Sequence, residues 1–273
     1  MRLRSSFAAA IAVCALTAMT GTASAWAPAA TAPIKPGVQT DTAGGQCTAN
    51  FIYTRGSDVF IGQAAHCAGT GAATETDGCD SGSLPLGTPV TISGATRPGS
   101  LAYSSWIAMQ NADEANPDAC AYNDLALVKI DPADVSRVNP SVPAFGGPVG
   151  IGGPSATGDN VFSYGNSSLR LGISKLSPKQ GIVTETVGNG WSRTVYTATP
   201  GIPGDSGSGF LDAEGGAIGT LSTLAIFPSP LSNGVSDLER ELGYARGHGF
   251  PDLQLVNGTE PFNGDLVNAI LGS

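Results

Sequence analysis

Gly204-Asp205-Ser206-Gly207-Ser208-Gly209 is the stretch on which the reading of this chain turns. A serine hydroxyl is a poor nucleophile until a neighbouring base takes its proton. The glycines around Ser206 permit a tight backbone turn. Such a turn aims the N–H groups of Gly204 and Ser206 at one point, where an oxyanion would form. A matching base lies upstream. His66 sits in Gln63-Ala64-Ala65-His66-Cys67, directly after a predicted strand, and imidazole exchanges protons near neutral pH. Between the two lies Asn123-Asp124-Leu125-Ala126-Leu127, an aspartate opening an apolar strand. A buried carboxylate there would hold the imidazole in one tautomer and stabilise its charged form. Together these are the parts of an acyl-transfer site. The one other histidine, His248, follows Gly247 at a predicted helix end and reads as a capping or solvent-facing residue.

The composition around these motifs suits a folded, exported chain. Of 273 residues 41% are hydrophobic, too apolar for a disordered chain. Only 13% are charged, about half the roughly 25% usual for soluble domains. With 38 Gly and 19 Pro, the balance favours short strands and turns over long surface helices. The net charge of -9 argues against nucleic acid or an anionic membrane as partner. Residues 1–25 read as a secretory signal peptide. Arg2 and Arg4 precede an apolar run from Phe7 to Met19, and Ala23-Ser24-Ala25 supplies a small-residue cleavage site. The run is shorter than the ~20 residues of a membrane span. Its removal takes two basic residues and no acidic ones, leaving a still more acidic, secreted, extracellular product.

Cys14 departs with the signal, and Cys47, Cys67, Cys79 and Cys120 remain. In an exported chain they imply two disulfides, with three possible pairings. Pairing sequence neighbours, 47 with 67 and 79 with 120, is the expected arrangement. No CxxC pair is present, which disfavours a zinc site.

Residues 26–45 are rich in Ala, Pro, Thr and Gly and read as an extended arm or propeptide. Strand-like pieces follow at 51–54, 59–62, 90–92, 101–109 and 124–130. Residues 139–158 hold several Pro and Gly and few charges, and read as a linker between two halves, 46–140 and 141–273. Strand-like pieces resume at 161–164, 181–187, 193–198, 209–211 and 217–224. Their spacing favours an all-β barrel or sandwich. One convincing helix begins with a Ser236/Glu239 capping box, carries Leu238, Leu242 and Ala245 on one face, and stops at Gly247. A second short helix is expected over 265–271.

The chain resembles the chymotrypsin-like, or trypsin-fold, serine proteases, above all the secreted bacterial ones. The resemblance rests on AAHC around His66, DLALVKI around Asp124, GDSGSG around Ser206, and their order. α/β-hydrolases run in the order Ser, Asp, His and need G-x-S-x-G, which Ser206 lacks. The resemblance implies two six-stranded antiparallel β-barrels with the active site between them, and short C-terminal helices. His66 and Asp124 would come from the first barrel and Ser206 from the second. It also supports a Cys47–Cys67 bridge. Ser222, in Gly219-Thr220-Leu221-Ser222-Thr223, looks like the family serine beside the triad aspartate, on a segment that pairs with substrate backbone.

The departures from the family pattern are informative. Ser208 replaces the second glycine of the common GDSGGP motif. The Ile-Val-Gly-Gly-like mature terminus is missing, so Asp205 needs an internal basic partner, for which Arg170 and Arg193 are the candidates. Pro200 stands where trypsin-like specificity needs an aspartate, so a preference for Lys or Arg is not expected. Leu221 stands where glutamate-specific relatives carry a histidine, and Leu224 stands near a common pocket-wall glycine. Pro200, Ser222 and Leu224 are thus the candidate substrate-binding residues, with small or medium apolar side chains as the expected preference. The reading is a secreted, monomeric serine endopeptidase acting on protein or peptide substrates, with no metal or organic cofactor. Its catalytic residues would be His66, Asp124 and Ser206, and its oxyanion donors Gly204 and Ser206. The alternatives are a non-proteolytic hydrolase on the same fold, an esterase by side activity, and a protease-fold binding protein with a latent or collapsed site.

Overall fold

A computed structural model describes residues 26–72, 75–224 and 230–271. The signal segment, 1–25, lies outside the described residues. The amino-terminal half contributes β1 (Gln39–Thr42), β2 (Gly45–Thr48), β3 (Ile52–Arg55), β4 (Asp58–Ala64), β5 (Pro89–Ile92), β6 (Gly99–Ser104) and β7 (Leu125–Lys129). Helices α1 (Ser105–Asn111) and α2 (Pro117–Tyr122) lie between β6 and β7. The second half contributes β8 (Asn160–Tyr164), β9 (Pro178–Val187), β10 (Ser192–Thr197), β11 (Gly209–Leu211), β12 (Ala217–Leu224) and β13 (Asn233–Asp237). Helix α3 (Leu238–Gly247), strand β14 (Gln254–Leu255) and helix α4 (Leu266–Leu271) complete the chain.

Strands β8 to β13 form a closed six-stranded barrel in the order β10-β13-β12-β11-β8-β9. Its interior is apolar and tightly filled: Val161, Val183, Val195, Phe210, Ile218, Leu221 and Val235 are all buried together. The other half is a correction to the expectation of a second six-stranded barrel. It is an eight-stranded sheet, β14-β3-β4-β7-β6-β5-β1-β2, without a closing ladder. Both ends of this sheet are already occupied. The outer edge of β3 pairs with β14, Thr54 opposite Gln254. At the end of β2, the Thr48 N–H donates to the Ser206 carbonyl at 2.8 Å, across to the other half.

Strands β4 and β7 lack polar alternation because both of their faces are covered. Val59, Ile61, Ala126 and Val128 face one core, with Trp106 and Met109 of α1. Phe60, Leu125 and Leu127 face a second core, where they meet Phe145, Phe162 and Leu211 and the Leu238/Leu242/Ala245 stripe of α3. This second core joins the sheet to the barrel.

Several local expectations change. The strand expected over 101–109 stops at Ser104 and turns into α1, which sends Trp106 and Met109, three residues apart, into the core. The cap of α3 is Asp237, whose side chain accepts the Arg240 N–H, rather than Ser236. Ser236 still belongs to the β12–β13 ladder, and its hydroxyl donates to the Thr220 carbonyl. The first part of the 139–158 segment is packed, with Val142 and Phe145 buried and Asn139 bonding Ala27 and Thr259, while 151–158 is largely exposed. The 26–45 segment is woven into the sheet. Ile34 is fully buried and bridges Val138, and β1 pairs with β2 and β5.

That placement predicts that Ile34→Ala destabilises the fold by about 2–5 kcal/mol, read as a lower urea midpoint at unchanged slope. A segment merely draped over the surface would give no shift.

Candidate active site

The ladder between β4 and β7 builds the first part of the site. Ala64 pairs with Leu125, so the residues just beyond the ladder, His66 and Asp124, fall side by side. After Ala64 the chain enters a 3-10 turn, Ala65–Ala68, and the Ala65 N–H donates to the Asp124 carbonyl at 2.9 Å. The Asp124 carboxylate is buried and fully engaged. Oδ1 accepts the His66 backbone N–H at 2.9 Å, and Oδ2 lies 2.7 Å from His66 Nδ1. Ser222 of β12 donates its hydroxyl to the same Oδ2 at 2.6 Å. Burial alone would push the His66 imidazole down, but the Asp124 charge and hydrogen bond outweigh it, so the ring is held above its ordinary 6.5. With Nδ1 committed to Asp124, Nε2 is the nitrogen left for proton exchange.

The Gly204–Gly209 loop enters from the barrel. Gly207 has φ of +88°, and a Cβ there would lie 2.6 Å from the Thr48 carbonyl and 2.8 Å from the Ala64 nitrogen. Only glycine lets the loop approach the end of β4 so closely. This contact sets Ser206 beside the strand that leads to His66. Ser206 Oγ itself makes no hydrogen bond to His66 or to any other described residue.

The two peptide planes that carry the Gly204 and Ser206 N–H groups are each pinned from behind. The Ser167 hydroxyl donates to the Pro203 carbonyl, and the Ser208 N–H donates to the Asp205 carbonyl at 3.0 Å. In a trans peptide the N–H points opposite its carbonyl. Both N–H groups are therefore turned away from these anchors, and neither meets an acceptor among the described residues. The Gly204 carbonyl is held separately by Gln46 Nε2 and Thr48 Oγ1, at 3.0 and 2.8 Å.

Asp205 is fully buried and meets two cations. Of the two candidate partners, Arg170 forms the ion pair, while Arg193 pairs with Asp237 elsewhere. The second cation, Lys179, was not read from the sequence. Its ammonium lies 3.0 Å from Asp205 Oδ2, with both side chains fully buried. Burial would raise the Asp205 carboxyl, but the Arg170 hydrogen bond and Lys179 hold it below its ordinary value. Burial, together with the Arg170 charge and against the pull of Asp205, holds Lys179 down at about 8.

The candidate substrate-binding residues lie on either side of this cluster. The Pro200 carbonyl accepts from Arg170 at 2.9 Å and from Lys179 at 3.4 Å, so the pair lies directly beneath it. Buried Asn233 accepts the Gly201 N–H and donates to the Gly201 and Thr223 carbonyls. It thereby clamps the segment after Pro200 to the end of β12, where Leu224 pairs with Asn233. The four cysteines form the bridges Cys47–Cys67 and Cys79–Cys120, the first tying β2 to the turn that carries His66. With these four sulfurs bridged, none of them is a thiolate for zinc. His248 is exposed, stacks on Tyr244 and takes no part in the site. Ser167, Lys179, Asn233 and Glu241 (which accepts the Asp124 N–H) escaped the sequence reading. Only Glu241 left a signal, as a charged residue within the apolar stripe of α3.

Comparisons with known proteins agree with this architecture. The model of the trypsin-like peptidase domain family matches residues 51–219, more than half of the chain. Protease A of Thermobifida fusca superposes with a TM-score of 0.52 at 19% identity, over 82% of this chain and 99% of its own. A glutamic acid-specific serine protease, described as using a histidine triad in substrate binding, gives 0.52 at 17% identity, over 82% of this chain and 100% of its own. At these identities the likeness speaks to fold alone. No curated protein matches the sequence.

Asp205→Asn would leave two buried cations facing an uncharged amide. The expected cost is about 3–5 kcal/mol, measured by chemical denaturation at neutral pH.

Proposed function

The chain belongs to the trypsin-like peptidase domain family, and on that premise we propose that it is an exported serine endopeptidase working through an acyl-enzyme. The observation that carries the proposal is the buried Asp124 carboxylate, which holds His66 Nδ1 at 2.7 Å and leaves Nε2 to act. In the proposed reaction, Ser206 Oγ attacks the peptide carbonyl carbon as its proton passes to His66 Nε2. The negative charge that develops on the carbonyl oxygen meets the free N–H groups of Gly204 and Ser206. His66 then returns the proton to the leaving amine, and the C–N bond breaks. Water, deprotonated by the same imidazole, attacks the acyl-enzyme and releases the acid half. Asp124 remains ionised throughout and stabilises the imidazolium.

Residues 46–140 would supply His66 and Asp124 in this reading, and residues 141–273 would supply Ser206 and the pocket. The pocket follows from what lies beneath Pro200. Pro200 offers no carboxylate to receive a Lys or Arg side chain, and the Asp205 carboxylate beneath it is already taken by Arg170 and Lys179. Small or medium apolar side chains are the proposed preference, with Leu224 narrowing the entrance. Export fits the two disulfides, which persist in oxidising compartments. Among the described residues no helix is long and apolar enough to cross a membrane.

One observation favours the alternative of a latent, binding-only protein: Ser206 Oγ is not hydrogen-bonded to His66. Two others weigh more on the catalytic side. Asp205 already has its internal cations, so the loop needs no new amino terminus to hold it. The Gly204 and Ser206 N–H groups, moreover, meet no acceptor among the described residues, as oxyanion donors would require.

A fluorophosphonate should label the wild-type chain and fail on Ser206→Ala, whose turnover should fall about a millionfold if the three residues act as a unit. Absence of labelling on the folded wild type would favour the latent protein. Neutral imidazole is the active form, so kcat/KM should rise with pH through a midpoint above 6.5, in keeping with the upward shift of His66. Asp124→Asn should remove that shift and lower kcat by about 10⁴.

A further inference from the structure

Behind Asp124 lies a carboxyl group that the proposed reaction does not use. Helix α3 turns Leu238, Glu241, Leu242 and Ala245 to the core, three and four residues apart. Glu241 therefore fills an apolar slot, with no exposure at all. Its Oε1 accepts the backbone N–H of Asp124 at 3.1 Å. Its Oε2 accepts the Thr220 hydroxyl at 3.1 Å. Thr220 in turn accepts from Asn50 Nδ2 at 3.4 Å, and Asn50 Oδ1 accepts the Tyr53 hydroxyl at 3.0 Å. The Asp124 N–H lies just outside the β4–β7 ladder, so without Glu241 it would be a buried donor with no acceptor.

The groups around Glu241 contain no compensating charge. Asp124 faces it from the start of β7 and is itself negative. Tyr53 on β3 and Tyr103 on β6 are neutral phenols. Thr220 on β12 and Ser236 on β13 offer hydroxyls. Helix α1, packed against α3, brings no titratable residue. Asp237, at the start of α3, is already paired with Arg193. No Lys, Arg or His among the described residues pairs with Glu241. Hydrogen bonds from Ser236, the Asp124 amide and Thr220 favour the charged form, but burial beside a second carboxylate outweighs them, and the group keeps its proton.

We propose that Glu241 is a positioning residue for the Asp124–His66 pair, anchoring the Asp124 amide as a neutral acid so that a single negative charge faces the imidazole. This rests on the reading of His66 as the general base, which it deepens. The neutral form matters because ionisation would set a second negative charge behind Asp124, repelling that carboxylate and pulling on the imidazole proton. Burial, with the Asp124 charge acting in the same direction, pushes Glu241 up to about 8. The site would then run with one charge behind the histidine at neutral pH and with two in alkali.

The test is a proton NMR titration of the His66 ring in the full chain, from about pH 5 to 10, with His248→Asn to assign the signals. The expected wild-type curve has a main step for the ring itself and a smaller second step near 8, as Glu241 ionises. Glu241→Gln keeps an acceptor for the Asp124 amide but has no proton to lose, so the second step should vanish while the main step stays. Lys179 also titrates near 8, so the second step must survive in Lys179→Met. Survival of the step in Glu241→Gln, or a single step in the wild type, overturns the proposal. Kinetics give a second readout. Glu241→Ala should lower kcat at least tenfold with KM within twofold, and Glu241→Gln should recover most of that loss; equal rates in the two variants would count against positioning. The ring titration does not depend on catalysis. If Ser206→Ala hydrolyses peptides as fast as wild type, the reading of the site falls, while the ring signals still decide the role of Glu241.

Discussion

The Asp124 carboxylate is buried and charged, and the structure around the cleft is arranged to satisfy it. A carboxylate taken from water must regain its hydrogen bonds from the protein or lose its charge. Here the donors come from different parts of the chain: the backbone and ring of His66 from the end of β4, and the Ser222 hydroxyl from β12 of the barrel. Meeting this one demand joins the sheet to the barrel at a fixed orientation. The apolar layer between them, with Phe51, Phe145, Phe162 and the α3 stripe, supplies the burial that makes the demand strict.

Three further ionisable groups lie buried within the same region, and each is handled differently. Asp205 keeps its charge because Arg170 and Lys179 surround it. Lys179 is held down by burial and by the neighbouring Arg170 charge, against the pull of the carboxylate they share. Glu241 has no cation and is held in its neutral form by burial. The outcome in each case follows from the partners available, not from the residue type. Two acidic side chains within one site thus differ in charge at the same pH. The ion pair beneath the Gly204–Gly209 loop is internal, so no external terminus is needed to hold Asp205.

The parts of the fold that were legible in the sequence were those whose signal is local. The apolar runs of β4 and β7, the regular strand spacing after residue 160, and the stripe of α3 could be read from pattern alone. The misread parts depended on distant partners. The strand into 101–109 gave way to α1 because Trp106 and Met109 had a core to enter on one side. The Ala- and Pro-rich segment before residue 45 had no periodicity to mark it, yet β1 exists because β2 and β5 present edges that accept it. The edge of β3 is taken by β14, some two hundred residues away in the chain, a partner no local pattern marks.

For the site, the sequence by itself determined which residues are the candidates for the chemistry. A histidine, an aspartate and a glycine-flanked serine in order are few enough in type and spacing to identify, because nucleophile, base and turn each require a particular side chain or none. What only the tertiary structure decided was the environment of those groups. Arg170 rather than Arg193 meets Asp205, Lys179 joins it, Ser167 turns the Pro203 peptide, and Glu241 stands behind Asp124. Each of these is a contact between residues far apart in the chain, and charge state and orientation depend on distance and burial, which a linear pattern does not contain.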